Sequence, residues 1–113
     1  MVNTCAYCGR ENSEWKSGVT YTGLDLHHNP PEFLFRRDGK WEGKKYLLCR
    51  EHHVELHRMI KLILNRIAGT MKFVNSEEWL CNKMNLNQIR QARKEIYDYT
   101  EGWINGNTST ITK

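Results

Sequence analysis

One short segment, residues 48–58 (LCREHHVELHR), limits what this chain can fold into more than any other. It opens a predicted amphipathic helix over about residues 51–68, because apolar residues recur there at helical spacing. On that helix His53 and His57 lie one turn apart on one face, where both can bind one ion. His52 lies about 100° from His53 around the helix axis and therefore cannot bind the same ion. The segment therefore predicts ligands for two different metal ions.

Two pairs of residues predict the first metal site, which we call the knuckle site. Cys5 and Cys8 form a Cys-x₂-Cys pair, and Cys49 lies three residues before His52. Zinc binds three thiolates and one imidazole tetrahedrally and so clips distant parts of a chain together. In a chain of 113 residues, such an ion can decide whether the domain folds. The alternative to a zinc site is that these four residues are unrelated. Cys81, the remaining cysteine, has no partner at ligand spacing.

A second pair of histidines, His27 and His28, is the obvious source of further ligands beside His53 and His57. The pair follows residues 19–26, whose composition favours a β-strand. A strand lying across from the helix would bring these imidazoles to one site. The alternative is a pair of surface histidines and a chance His-x₃-His spacing.

Strand geometry limits how His27 and His28 can share a site. Neighbouring side chains on a regular strand point to opposite faces, so both histidines can work at one site only if the strand twists or breaks. Pro30 and Pro31 favour a break, because proline has no N–H to give to a sheet. Asp25 lies on the same face as His27 and is a reserve ligand.

The first half of the chain predicts strand, loop or hairpin, strand and helix, in that order. A turn signal at Asp38 and Gly39 separates two apolar segments. A strand that ends at Leu48 would lead directly into Cys49 and the helix. The fold class is therefore α+β.

A second helical region follows Gly69, which is a predicted helix stop. Asn75 or Ser76 can cap this region, with Glu77 and Glu78 in its first turn, and its main helix is predicted over about residues 87–105. We therefore expect a core over residues 1–73, a helical extension packed on that core over residues 74–105, and a disordered tail over residues 106–113.

Basic residues are concentrated around the histidines. The chain has 17 basic and 13 acidic residues, and residues 36–72 alone hold ten Lys or Arg against four Asp or Glu. A positive field suits a polyanion, with nucleic acid as the leading candidate, whereas the alternative is an ordinary solvated surface. The candidates for phosphate contacts are Arg36, Arg37, Lys40, Lys44, Lys45 and Arg58.

The N-terminal residues and the cysteines predict a cellular location. Residues 1–4 run directly into the first cysteine pair, without the basic and apolar segments of a leader. No apolar run approaches the length of a membrane span. We therefore expect reduced thiols, no membrane partner, and a cytoplasmic location in a bacterium or a phage-infected host.

Residues 5–58 resemble the HNH endonucleases, the ββα-metal nucleases, in their zinc-knuckle form. The resemblance rests on LHHNPP around His27 and His28, on LCREHHVELHR, and on the two cysteine-containing pairs that bracket them. It implies a small ββα-metal core clipped by a Cys₃His zinc site, followed by a C-terminal helical extension. It also implies a hydrolase that acts on DNA, of a kind common in phages and mobile elements.

The resemblance implies a role for each of the four remaining histidines. His27, His53 and His57 correspond to the ligands of one catalytic divalent cation (Mg²⁺, Mn²⁺, Ni²⁺ or Zn²⁺), and we call them the three-histidine site. His28 corresponds to the general base, which takes a proton from the attacking water. The cation would bind the scissile phosphate and stabilise charge on the leaving 3′-oxygen.

The chain departs from the family at one position. Family members carry an asparagine nine residues before the first helix histidine, where this chain has Lys44. No asparagine occurs between Pro30 and Cys49. The missing asparagine is expected to affect the rate of catalysis more than metal binding. Lys44 could contact phosphate instead.

Two other functions stay open on the sequence. The missing asparagine also fits an inactive HNH-like module that binds DNA or a host protein, and two zinc sites alone fit a purely structural protein. A zincin protease is excluded, because Glu55 lies two residues after His53 whereas His-Glu-x-x-His needs the acid next to the histidine. The chain is expected to be a monomer, or a homodimer if the apolar face of its C-terminal helix is not covered.

Overall fold

The computed structural model describes residues 4–9 and 24–112, with side chains as far as residue 106. Two strands come first, β1 (Leu24–Asn29) and β2 (Lys44–Cys49), with a short 3-10 helix (Glu32–Phe35) between them. Three helices follow, α1 (Arg50–Ala68), α2 (Glu77–Lys83) and α3 (Leu86–Thr112). The α+β class predicted from the sequence is confirmed, as a two-stranded sheet with helices. Residues 19–23 of the predicted first strand lie outside the described residues.

The two strands form an antiparallel pair that leads directly into α1. Their register sets Leu24 opposite Cys49 and Asn29 opposite Lys44. β1 ends where Pro30 removes the next N–H from the sheet. Cys49 is the last residue of β2 and also the N-cap of α1, so no loop separates strand from helix. The first turns of α1 are thereby held beside the sheet.

Helix α1 has nearly the predicted bounds. It starts at Arg50 rather than at residue 51, and it ends at Ala68, before Gly69 in the left-handed conformation with φ of 71°. The Gly69 N–H donates to the carbonyl oxygens of Asn65 and Arg66, which would otherwise lack a hydrogen-bond donor at the end of the helix. The buried face of the helix includes Leu56, Ile60, Leu64 and Ile67.

The second helical region consists of two helices, each with its own capping residue. The Ser76 hydroxyl accepts a hydrogen bond from the Trp79 N–H at the start of α2. At the start of α3, the side chains of Asn85 and Gln88 each accept from the other's backbone N–H at 2.9 Å. This reciprocal capping box fixes where α3 begins.

Helix α3 continues into the C-terminal segment, and its backbone is helical as far as Thr112. The disordered tail predicted over residues 106–113 stays a prediction. Once a helix is nucleated, each further residue adds a hydrogen bond without a second nucleation step. A helix can therefore extend through residues that have no apolar face to bury.

One hydrophobic core joins the sheet to all three helices. The same cluster contains buried residues from β2, α1, α2 and α3, among them Leu48, Leu56, Leu80 and Ile96. The apolar face of α3 is covered within the chain, because Ile89, Ala92 and Ile96 are each at most 1% exposed. Burying that face therefore does not require a second copy of the chain. In the part of the chain that the structure describes, no helix has the length and apolar composition to cross a membrane.

The hydroxyl of Thr100 is buried on α3 without a hydrogen-bond partner among the described residues. Because an unpaired buried polar group costs free energy, we expect Thr100→Val to raise the free energy of unfolding by about 1 kcal/mol. Thr70→Val is the matched control, since Thr70 Oγ1 donates to Asn65 Oδ1 at 2.6 Å and the loss should lower stability by about 1 kcal/mol. Urea denaturation measures both changes, and a destabilised Thr100→Val protein would contradict the expectation.

Candidate metal centres

Strand and helix bring His27, His53 and His57 together. His27 comes from β1, and the other two come from the first two turns of α1. The His27 ring centroid lies 5.3 Å from that of His53 and 5.2 Å from that of His57, and the latter two are 4.7 Å apart. One ring nitrogen from each lies within 4.8 Å of the other two. The three-histidine site could therefore hold a metal ion.

His27 has the environment of a metal ligand. It is only 1% exposed, and its Nε2 atom has no hydrogen-bond partner among the described residues. Burial, followed by the charges of His57 and His53, lowers the pKa of His27 to about 3. The imidazole is therefore neutral at neutral pH, which is the form that binds metals. An ion at Nε2 would also remove the cost of an unpaired buried nitrogen, about 1–3 kcal/mol.

Two carboxylates contact the outer nitrogens of the helix histidines. His53 Nδ1 lies 3.2 Å from Asp25 Oδ2, and His57 Nδ1 lies 2.7 Å from Glu77 Oε2. With Nδ1 engaged, Nε2 of each ring is left for an ion. Burial lowers the pKa of His53, and its hydrogen bond with Asp25 opposes that shift.

Sequence reasoning found these two carboxylates only in part. Asp25 was identifiable on the His27 face of the strand, but as a reserve ligand rather than as a hydrogen-bond partner of His53. Glu77 was identifiable only as a charge in the first turn of a helix. No local spacing connects Glu77 with His57, because the two are 20 residues apart and meet through packing.

His28 lies beside the three-histidine site but is not among its converging imidazoles. The strand is regular as far as Asn29, with His27 opposite Tyr46 and His28 opposite Lys45. The break expected from the two prolines therefore comes only after both histidines. Alternation along the strand separates the two side chains, because neighbours on a regular strand point to opposite faces.

The surroundings of His28 still connect it to the site. Its Nε2 atom lies 3.4 Å from Glu32 Oε1, and its ring meets that of Trp41 edge-on with centroids 5.1 Å apart. A positive charge on His28 is among the causes that lower the pKa of His27, so the two rings are close enough to interact electrostatically. The His28 side chain is 23% exposed and can be reached by solvent.

The four residues of the knuckle site also come together. Cys49 Sγ lies 3.0 Å from His52 Nδ1 and 3.9 Å from Cys8 Sγ. Cys5 completes the group, in which all four ligand atoms lie within 4.8 Å of one another. This group, too, could hold a metal ion.

The backbone around Cys5 favours a thiolate. Burial opposes ionisation of Cys5, but hydrogen bonds from the backbone of Cys49, Cys8 and Tyr7 outweigh it and lower the pKa. The Gly9 N–H closes the turn by donating to the Cys5 carbonyl oxygen at 2.8 Å. A thiolate is the form in which cysteine binds zinc.

Helix α3 packs against the knuckle site through aromatic rings. Tyr7 stacks on Trp103 with ring centroids 4.0 Å apart, and the His52 ring lies 4.5 Å from the Tyr7 ring. The site thus joins the N-terminal residues, the start of α1 and the second half of α3. No sequence spacing indicates the part played by Trp103.

Comparisons identify no relative of either centre. No protein-family model matches the chain, and neither does any curated protein or solved structure.

The predicted phosphate-contact residues have different surroundings. Arg37 donates from Nη1 to the carbonyl oxygens of Cys81 and Met84, at 2.9 and 2.7 Å, and so ties the segment after the 3-10 helix to the C-terminal end of α2. Arg36 lies 3.7 Å from Glu78 on the surface. The remaining exposed candidates are Lys40, Lys45 and Arg58, besides Lys44, which is paired.

Lys44 belongs to a polar network at the end of the hairpin. Its ammonium donates to Glu101 Oε1 at 3.1 Å, and the buried Asn29, its neighbour across the sheet, donates to Glu101 Oε2 at 3.1 Å. Burial would raise the pKa of Glu101, but hydrogen bonds from Tyr46, Lys44 and Asn29 lower it. In the position where the resembled family has asparagine, Lys44 therefore ties β2 to α3.

Proposed function

We propose that this chain is a metal-dependent DNA endonuclease, in which β1, β2 and α1 form a ββα-metal core. The observation that carries the proposal is the three-histidine site itself, in which one ring nitrogen from each imidazole of strand and helix lies within 4.8 Å of the other two. A fourth imidazole, His28, follows the first ligand directly in the sequence. Three protein ligands leave a coordination position open, as catalytic sites require and structural sites do not.

In this reaction His27, His53 and His57 would hold the divalent ion. The ion would supply Lewis-acid stabilisation of charge on the scissile phosphate and on the leaving 3′-oxygen. His28, when neutral, accepts a proton from water as the water oxygen bonds to phosphorus. The bond from phosphorus to the 3′-oxygen breaks, and its electron pair leaves with that oxygen. Glu32, 3.4 Å from His28 Nε2, orients the ring and stabilises its protonated form.

The knuckle site serves the fold in this proposal. Three cysteines and one histidine are a ligand set typical of structural zinc, which would leave no coordination position open. Its ligands come from residues 5–8 and from the junction between β2 and α1. With zinc bound, these ligands would hold the first helical turn, which also carries His53, in a fixed position relative to the sheet.

DNA is the proposed substrate because of charge near the three-histidine site. Lys45 lies opposite His28 in the sheet and places its ammonium 5.8 Å from the Trp41 ring centroid. Arg58 is exposed and follows His57 on α1. With Lys40, these residues can contact backbone phosphates, which fix position without reading sequence.

A cleavage assay tests the proposed function. Purified protein should nick or linearise a supercoiled plasmid when Mg²⁺, Mn²⁺, Ni²⁺ or Zn²⁺ is added, and excess chelator should stop the reaction. Heat-denatured protein with the same ions is the control for metal-catalysed breakage. Tight, salt-sensitive binding of duplex DNA without cleavage in any of the four ions would instead favour a non-enzymatic DNA-binding module.

A further inference from the structure

We propose that Glu77 is a positioning residue for the ion at the three-histidine site and couples the docking of α2 to the presence of that ion. The inference rests on the metal-binding part of the proposed function and is independent of DNA cleavage. Its basis is the 2.7 Å contact between Glu77 Oε2 and His57 Nδ1. Both side chains are largely buried, with 20% of Glu77 and 25% of His57 exposed.

The contact determines which nitrogen of His57 can bind the ion. A carboxylate accepts hydrogen bonds, so the proton of the neutral ring is held on Nδ1 and the lone pair is on Nε2. The negative charge also makes the ring a stronger ligand. Asp25 makes the corresponding contact with His53, but at 3.2 Å and while also pairing with Arg50 at 3.4 Å. Glu77 therefore makes the shorter and less shared of the two contacts.

The segment before Glu77 is attached firmly to α1. Asn65 Oδ1 accepts from the Val74 N–H at 2.8 Å, and Asn65 Nδ2 donates to the Val74 carbonyl oxygen at 2.9 Å. Lys61 donates to Asn75 Oδ1 at 3.0 Å. These hydrogen bonds fix where α2 begins relative to α1, and so they direct the first carboxylate of α2 at His57.

Helix capping alone does not account for the contact. Acidic residues are favourable in the first turn of any helix, and Glu78 satisfies that preference as well as Glu77 does. The Glu78 carboxylate, however, is 72% exposed and lies 3.7 Å from Arg36. The two neighbours share the helix position and charge but differ in their contact with His57, which makes Glu78 a matched control.

Thermodynamic linkage makes the effect reciprocal. If the contact with Glu77 raises the affinity for the ion by some factor, the ion must favour the docked α2 by the same factor. The ion would thus join three elements, because its ligands come from β1 and α1 and its supporting carboxylate comes from α2.

Calorimetric titration of the full chain with Zn²⁺ tests the affinity. The first equivalent fills the knuckle site, and the second equivalent reports the three-histidine site. We expect Glu77→Gln and Glu77→Ala to weaken the second binding event by about 10–100-fold, the usual effect of removing such a supporting group. Glu78→Gln should bind the second equivalent like the parent.

Hydrogen exchange separates this role from a merely structural one. In the parent, the second equivalent of Zn²⁺ should slow exchange of the α2 amides, and in Glu77→Gln this slowing should be lost. Parent-like affinity in both Glu77 variants would overturn the positioning role, as would a loss of stability that is the same with and without the second equivalent. A parent that binds no second Zn²⁺ would overturn both this inference and the metal centre of the proposed function.

Discussion

His28→Ala is expected to slow DNA cleavage by about 10²–10⁴-fold, because the proposed reaction loses the group that takes the proton from the attacking water. Binding of the divalent ion should persist, since His28 is not among the converging imidazoles of the three-histidine site. Single-turnover cleavage of a supercoiled plasmid measures the rate, and titration calorimetry measures ion binding. Loss of cleavage with retained ion binding would identify a base rather than a ligand.

Two further variants make the His28 result interpretable. His53→Ala removes a converging imidazole and should abolish both ion binding and cleavage. Glu42→Gln alters an exposed charge that contributes to neither centre, and it should change neither property. A His28→Ala protein that cleaves at the parent rate would show that another group accepts the proton.

The other large effect is expected at the knuckle site. Cys49 is fully buried where β2 meets α1, and its Sγ atom belongs to the group that joins residues 5–8 to the helix. Structural zinc contributes about 10–16 kcal/mol in zinc-finger peptides, whereas whole domains are stable by only about 5–15 kcal/mol. We therefore expect Cys49→Ser to leave most of the chain unfolded. Far-UV circular dichroism and zinc stoichiometry measure the two consequences.

Cys81→Ala is the matched control for Cys49→Ser. Cys81 is also a buried thiol, and burial raises its pKa to about 12, but it lies outside both metal groups. Its replacement should cost about 1 kcal/mol, typical of a point substitution, and should leave the zinc stoichiometry unchanged. A Cys49→Ser protein as stable as Cys81→Ala would remove the structural role of the ion.

The parts of the fold that the sequence predicts well depend on local rules. Helix α1 follows from apolar periodicity and from Gly69, whose left-handed conformation ends it within one residue of the expected bounds. The spacing of His53 and His57 determines their common helix face before any tertiary contact forms. The three-residue offset between Cys49 and His52 likewise brings the two together locally, across the junction between β2 and α1.

The parts that the sequence misses depend on contacts between distant segments. Glu77 meets His57, Trp103 stacks on Tyr7, and Glu101 accepts from Lys44, each across 20 or more residues. Nothing in the local sequence around these residues distinguishes them from ordinary surface or core positions.

The order of the ligands along the chain has a consequence for biosynthesis. Both candidate metal groups are complete by position 57, whereas Glu77 and Trp103, which contact them, come later. A chain emerging from the ribosome therefore carries every ligand before α2 and α3 have been made. Metal capture can therefore precede the packing of the C-terminal helices.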